Sequence, residues 1–220
     1  MCLYPLCSDA ARQRLKSSWS LALLDALGIE LEADLAASIP GALIVANHIS
    51  WIDIFVINAV LPAAFVSKEE VRHWPLVGWL AAKNDTVFLR RGSRGHAKLI
   101  NAEIAAMLET GKHVAVFPEG TTTDGFSLLH FHAALIQPAL VAGRPVLPVS
   151  LSYWEPDGTR SLAPRYDGDI SLGECTRALL SRQRLTARLI VSPPCHGPDR
   201  KAVAAAAREA IARSAQLPLT

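Results

Sequence analysis

Two side chains capable of proton chemistry interrupt an otherwise apolar stretch, VANHISWIDIF, at residues 45–55. His48 and Asp53 stand five positions apart in it. An imidazole titrates near neutrality, and a carboxylate within hydrogen-bond reach holds one ring nitrogen while raising the basicity of the other. On one continuous helix, residues five apart point about 140° away from each other and would not meet. They meet only if His48 lies in a turn after a strand and Asp53 in the first or second turn of the next helix. The helix dipole and free N–H groups favour a carboxylate placed there as the anion. Such a pair is half of a hydrolytic triad, and it also occurs as a plain hydrogen-bonded cap. No G-x-S-x-G elbow is present, GFSLL at 125–129 does not imitate one, and no cysteine has a recognisable nucleophile context. The attacking hydroxyl is therefore expected to belong to the substrate.

A second cluster, HVAVFPEGTTTDG at 113–125, ends an apolar run in Pro118, Glu119 and Gly120, followed by Thr121 and Thr122. Gly120 allows a close turn whose N–H groups can face an anion or a developing oxyanion. Glu119 and the threonine hydroxyls offer polar contacts to a substrate head group. In a parallel sheet this loop and His48 would both lie at the carboxyl ends of strands, where α/β sites form.

The elements needed to place these groups are legible as alternating runs. ALIVAN (42–47), AAFVS (63–67), TVFLR (86–90), HVAVF (113–117), PVLPVSL (145–151) and ARLIVS (187–192) are expected strands, several apolar throughout as in sheets covered on both faces. Helices are expected at 51–60, 69–82, 93–110, 129–142 and 173–184, with a last one capped by Asp199. Alternation of this kind predicts an α/β fold: a single layered domain with a mostly parallel β-sheet flanked by helices. An N-terminal amphipathic helix precedes it, with Leu15, Trp19, Leu23 and Leu27 recurring every four residues. The expected division is a helical segment at 1–40 and the layered domain at 41–220.

The 220 residues suffice for a sizeable core, and half of them are hydrophobic. A net charge of +2 and the lack of basic runs interleaved with aromatics give no footing for nucleic acid. A mean hydropathy of +0.24 hints at work beside lipid, yet the longest apolar run, 54–66, contains Asn58 and Pro62 and is too short to span a bilayer. VRHWPLVGWLAAK (71–83) gathers Trp74 and Trp79 beside cations, a composition suited to a membrane interface or to a core. Cys2, Cys7, Cys175 and Cys195 form no C-x-x-C pair and are expected to be reduced.

Taken together, the blocks resemble the glycerophospholipid acyltransferase family of the lysophosphatidate acyltransferase type. Its Asn-His-x-Ser-x-x-Asp motif is matched by Asn47, His48, Ser50 and Asp53, and its Phe-Pro-Glu-Gly-Thr motif by Phe117 through Thr121. A block of the Phe-Ile-Asp-Arg type is similar to Phe88, Leu89, Arg90 and Arg91, and an apolar run around a proline is similar to VLPVSL with Pro148. The ordered set covers roughly 40–155. The resemblance implies that His48 deprotonates an acceptor hydroxyl, that Asp53 orients it, and that the alkoxide attacks an acyl-ACP or acyl-CoA thioester. Asn47, Ser50, Phe88, Arg90, Arg91, Glu119, Gly120, Thr121, Thr122 and Pro148 would contact substrate, with no metal and no bound cofactor. The partners implied are a lysolipid acceptor, the acyl carrier protein or coenzyme A thioester, and a membrane surface at the cytoplasmic face. Two departures bear on the acceptor: Thr122 stands where the family commonly has Arg, and Arg90 where it has Asp. They leave 1-acylglycerol-3-phosphate and a lyso-ornithine-type lipid both open.

Readings of another class are a metal-dependent hydrolase, for which His130, His132 and His113 add possible ligands, and a non-catalytic lipid-binding protein. Neither explains the two ordered blocks together.

Overall fold

The structure, a computed structural model, describes residues 8–69, 86–89, 94–182 and 184–218. Among them the elements run α1 (Asp9–Ala26), β1 (Ile29–Asp34), β2 (Leu43–Ala46), α2 (Asp53–Val60), β3 (Ala63–Lys68), β4 (Val87–Leu89) and α3 (Arg94–Glu109). They continue with β5 (His113–Val116), a 3-10 turn (Ala133–Ile136), α4 (Gln137–Val141), β6 (Val146–Trp154), α5 (Leu172–Leu180), β7 (Leu185–Val191) and α6 (Arg200–Ala215).

The described strands form one sheet in the order β1-β7-β6-β2-β5-β3-β4, parallel throughout except between β6 and β7. This is the expected α/β layered fold. At its centre, all four residues of β2 are buried, and their alternation divides the core into two layers. Ile44 and Ala46 join Val56, Leu147, Val149, Leu151 and Tyr153 on one face, while Leu43 and Val45 join Ile104, Val114, Val116 and Ile211 on the other. Covering both faces removes the polar alternation that a half-exposed strand would show.

Several boundaries depart from expectation for local reasons. β1 was not anticipated: IELEAD alternates apolar and acidic residues because it is an edge strand paired only with β7. The helix expected at 129–142 is an irregular stretch, a 3-10 turn and the short α4, which begins where Pro138 in the first turn needs no N–H partner. The helix expected at 173–184 is α5, which ends at Leu180 and gives way to β7. α6 opens as expected, with the Asp199 carboxylate accepting from the N–H groups of Lys201 (2.8 Å) and Ala202 (2.9 Å). Most of the helix expected at 69–82, and with it Trp74 and Trp79, lies outside the described residues, as do Cys2, Cys7, Arg90 and Arg91. Cys175 and Cys195 are free thiols.

α1 packs on α2, with Ser20 and Leu24 buried, and the expected stripe meets the core only at its carboxyl-terminal half, through Leu23 and Leu27. Leu15 stays 50% and Trp19 47% exposed, with Trp19 meeting Phe55 edge to face at 5.3 Å. Lys16 Nζ donates to Ala63 O (2.9 Å) and Ser17 Oγ to Asn58 O (3.1 Å), fixing α1 against both ends of the α2–β3 corner.

Candidate active site

β2 and β5 are parallel neighbours, so the loops leaving their carboxyl ends open at the same edge of the sheet. The first loop carries Asn47 and His48; the second carries Phe117, Pro118, Glu119 and Gly120. β6, on the other side of β2, runs past it: Ala46 pairs with Val149, and the chain from Ser150 to Trp154 overhangs the first loop.

His48 lies in the turn and Asp53 is the first residue of α2. That is the geometry required for residues five apart to meet, and Nδ1 of His48 is 2.8 Å from Asp53 Oδ2. The same oxygen accepts the N–H groups of Ile49 (2.7 Å) and Ser50 (2.9 Å), so the carboxylate closes the turn and holds the imidazole at once. Its other oxygen, Oδ1, accepts the hydroxyl of Tyr153 from the β6 overhang at 2.5 Å. The Asp53 side chain is 0% exposed and that of His48 is 19% exposed. With Nδ1 engaged, Nε2 is the nitrogen left for a substrate proton.

Phe117 stacks on the His48 ring, with centroids 3.9 Å apart and planes inclined by 9°, and Phe65 backs it at 6.0 Å. Glu119, buried, spans two segments: Oε1 accepts the His48 N–H (2.9 Å) and Oε2 the Leu129 N–H (2.8 Å). Burial raises its carboxyl above the usual value, against the opposing pull of those two N–H groups. Thr123 N–H returns a bond to His48 O at 2.9 Å, completing the tie between the loops.

The other expected site residues divide between scaffold and rim. Asn47 is buried and bonded to the backbone of Leu151, and the Ser50 hydroxyl is buried 3.9 Å from Cys175 Sγ. Pro148 is buried in β6, opposite Val45. Gly120 has φ +72°, its N–H bonded to Phe117 O (3.1 Å), and a Cβ there would stand 3.3 Å from the His132 ring. Thr121 is exposed, while the Thr122 hydroxyl donates to Tyr166 O. Phe88 lies on β4 opposite Ser67, with β5 and β3 between it and β2.

Tyr153, Leu129 and Leu151 complete the site and were not singled out from sequence, while Phe117 was noted there as a motif residue without its stacking on His48. For Tyr153 a signal existed: it continues the alternation of Leu147, Val149 and Leu151 with a residue that carries a hydroxyl. The rings of His130 and His132 stand 6.0 Å apart, and among the described residues no three or more His, Cys, Asp or Glu side chains gather as metal ligands.

A family model described as Acyltransferase matches residues 30–152. The chain is 43% identical over 202 residues to a lyso-ornithine lipid O-acyltransferase of Pseudomonas aeruginosa, covering 91% of this chain and 78% of that protein. It is 40% identical over 169 residues to a 1-acyl-sn-glycerol-3-phosphate acyltransferase of Neisseria meningitidis, covering 77% of this chain and 66% of the relative. Its fold is similar to the crystal structure of the 1-acyl-sn-glycerophosphate acyltransferase PlsC of Thermotoga maritima, with TM-score 0.71, 25% identity, and coverage of 97% of this chain and 84% of that one.

Proposed function

Because the chain belongs to the acyltransferase family, as an enzyme of the lysophosphatidate and lyso-ornithine lipid type, we propose that it moves a fatty acyl group from a thioester to the free hydroxyl of a lysolipid. The contact that carries this reading is the 2.8 Å hydrogen bond between His48 Nδ1 and Asp53 Oδ2, which leaves Nε2 as the base. Nε2 takes the acceptor's hydroxyl proton as the oxygen attacks the thioester carbonyl. The tetrahedral intermediate collapses, the C–S bond breaks, and the thiolate of coenzyme A or acyl carrier protein leaves with the proton from the imidazolium. Because the Gly120 N–H is held by Phe117 O, the backbone donors for the oxyanion are sought at Thr121 and Thr122.

The acceptor is 1-acylglycerol-3-phosphate in this reading, with a lyso-ornithine-type lipid as the second candidate. The second is favoured by Thr122, whose hydroxyl is turned to Tyr166 O rather than to the solvent side of the loop. Reaction takes place at the cytoplasmic face of a membrane to which the protein binds peripherally. The half-exposed Leu15, Trp19 and Leu21 of α1 support lipid contact, and no helix among the described residues is long and apolar enough to cross a bilayer.

The test is purified protein with a panel of lysolipids and both acyl donors, products identified by mass. Transfer to lysophosphatidate that falls in Arg91→Ala, with other acceptors unaffected, supports the phosphate reading; transfer to lyso-ornithine lipid alone replaces it with the second. Absence of transfer from both donors to every lysolipid would overturn the assignment.

A further inference from the structure

The two oxygens of Asp53 are used differently. Oδ2 accepts from His48 and from two backbone N–H groups, while Oδ1 accepts from the Tyr153 hydroxyl. We propose that Tyr153 is a positioning residue for acyl transfer, its phenol holding the Asp53 carboxylate in register with His48 and setting how strongly that carboxylate attracts the proton on the imidazole. This rests on the acyl-transfer reading above.

Three observations carry it. A carboxylate turns easily about its Cβ–Cγ bond, because a torsion to an sp² centre has only broad minima. Fixing Oδ1 from a sheet strand therefore fixes Oδ2, on which the ring depends. Asp53 is fully buried, so solvent does not stand in for the phenol when it is removed. Burial first, and then the charge of Asp53, push the Tyr153 phenol well above its ordinary value of 10.0, so it remains a donor wherever the enzyme works.

A charge-assisted O–H···O⁻ bond draws charge from its acceptor. Losing it leaves more negative charge for the imidazolium, which then gives up its proton less readily. Tyr153→Phe keeps the ring and removes only the hydroxyl. Its kcat is expected to fall about tenfold, the loss typical of one hydrogen bond to a charged group. KM for donor and acceptor stays unchanged, and the acid limb of the kcat/KM profile moves to higher pH. Installing 3-fluorotyrosine at position 153, a stronger donor of nearly equal size, moves that limb to lower pH and covers the case in which the phenylalanine variant fails to fold.

Val149→Ala opens the same core layer without removing any hydrogen bond of Asp53, and is expected to lower the melting temperature while leaving the limb in place. The role is overturned if the fluorinated protein keeps the wild-type limb, or if Tyr153→Phe changes only melting temperature. Should wild-type protein transfer no acyl group, the fault lies with the functional reading. The tyrosine's role is then decided by nitrogen NMR titration of the His48 ring, where the opposed shifts support it and coincident curves refute it.

Discussion

The side chain of Asn47 pairs with the backbone of Leu151 as a neighbouring strand would, Oδ1 accepting its N–H at 2.8 Å and Nδ2 donating to its C=O at 3.0 Å. β2 has ended at Ala46, and the amide extends its hydrogen bonding to the β6 overhang just where the chain turns toward His48. Asn47→Ala leaves both backbone groups of Leu151 buried and unpaired. At 1–3 kcal/mol for each such group, a loss of about 3 kcal/mol is expected, read from the midpoint and slope of urea unfolding. A loss below about 1 kcal/mol would mean that water reaches Leu151.

Asp53→Asn separates charge from shape. The amide oxygen can sit at the Oδ2 position and accept its three donors, while the amide NH₂ faces the Tyr153 oxygen, which then accepts. Folding is therefore expected to survive, with circular dichroism and melting close to wild type. Turnover should fall by about 10³-fold, since the imidazolium loses its counter-charge. Wild-type turnover in this variant would remove Asp53 from the chemistry.

The pH dependence at Glu119 has a defined sign. Its carboxyl is raised above the ordinary 4.5, chiefly by burial, so the folded protein holds this proton more tightly than the unfolded chain. The group's contribution to stability is fully present below 4.5 and declines as pH rises through the folded value. Glu119→Gln does not titrate. The unfolding free energy of wild type minus that of the variant, measured from about pH 4 to about pH 7, is expected to fall and then level off. A difference that grew with pH would contradict the burial assigned here.

Gly125 couples the rim to the base. Its φ is +82°, and an added Cβ would come within 2.9 Å of Ile49 Cδ1. Ile49 is bonded through its N–H to Asp53 and through its C=O to Tyr166 N. Gly125→Ala is expected to cost about 1–2 kcal/mol from the left-handed backbone, with the yielding Ile49 side chain adding little. Because the displaced residue adjoins His48, kcat should fall as well, and a variant with lowered melting temperature but unaltered kcat would show that Ile49 absorbs the push alone.

The His48–Asp53 pair was legible because it is local: strand, turn and first helical residue lie within one short stretch, and the spacing dictates how they meet. The central strands were legible for a related reason, since LIVA and HVAV are too apolar for any place but a sheet covered on both sides. Tyr153 and Leu151 escaped notice because each is about a hundred residues from its partner and reaches it only through the crossover that sets β6 beside β2. Glu119 was legible as a member of the site but not in its contacts, since two backbone N–H groups from separate loops leave no mark on side-chain composition. β1 was missed because an edge strand with acidic alternate residues has little to distinguish it from a polar linker.

The bridge made by Glu119 has a bearing on how acceptor preference could be redesigned. A single carboxylate clamps the corner after β2 to the segment approaching Leu129, so a substitution at Glu119 would drag the base along with whatever contact it was meant to alter. Thr121 projects from the same corner without being part of that clamp. A library confined to position 121 would therefore test the expected acceptor contact on the outward side of the loop while the proton-transfer apparatus underneath stays in step.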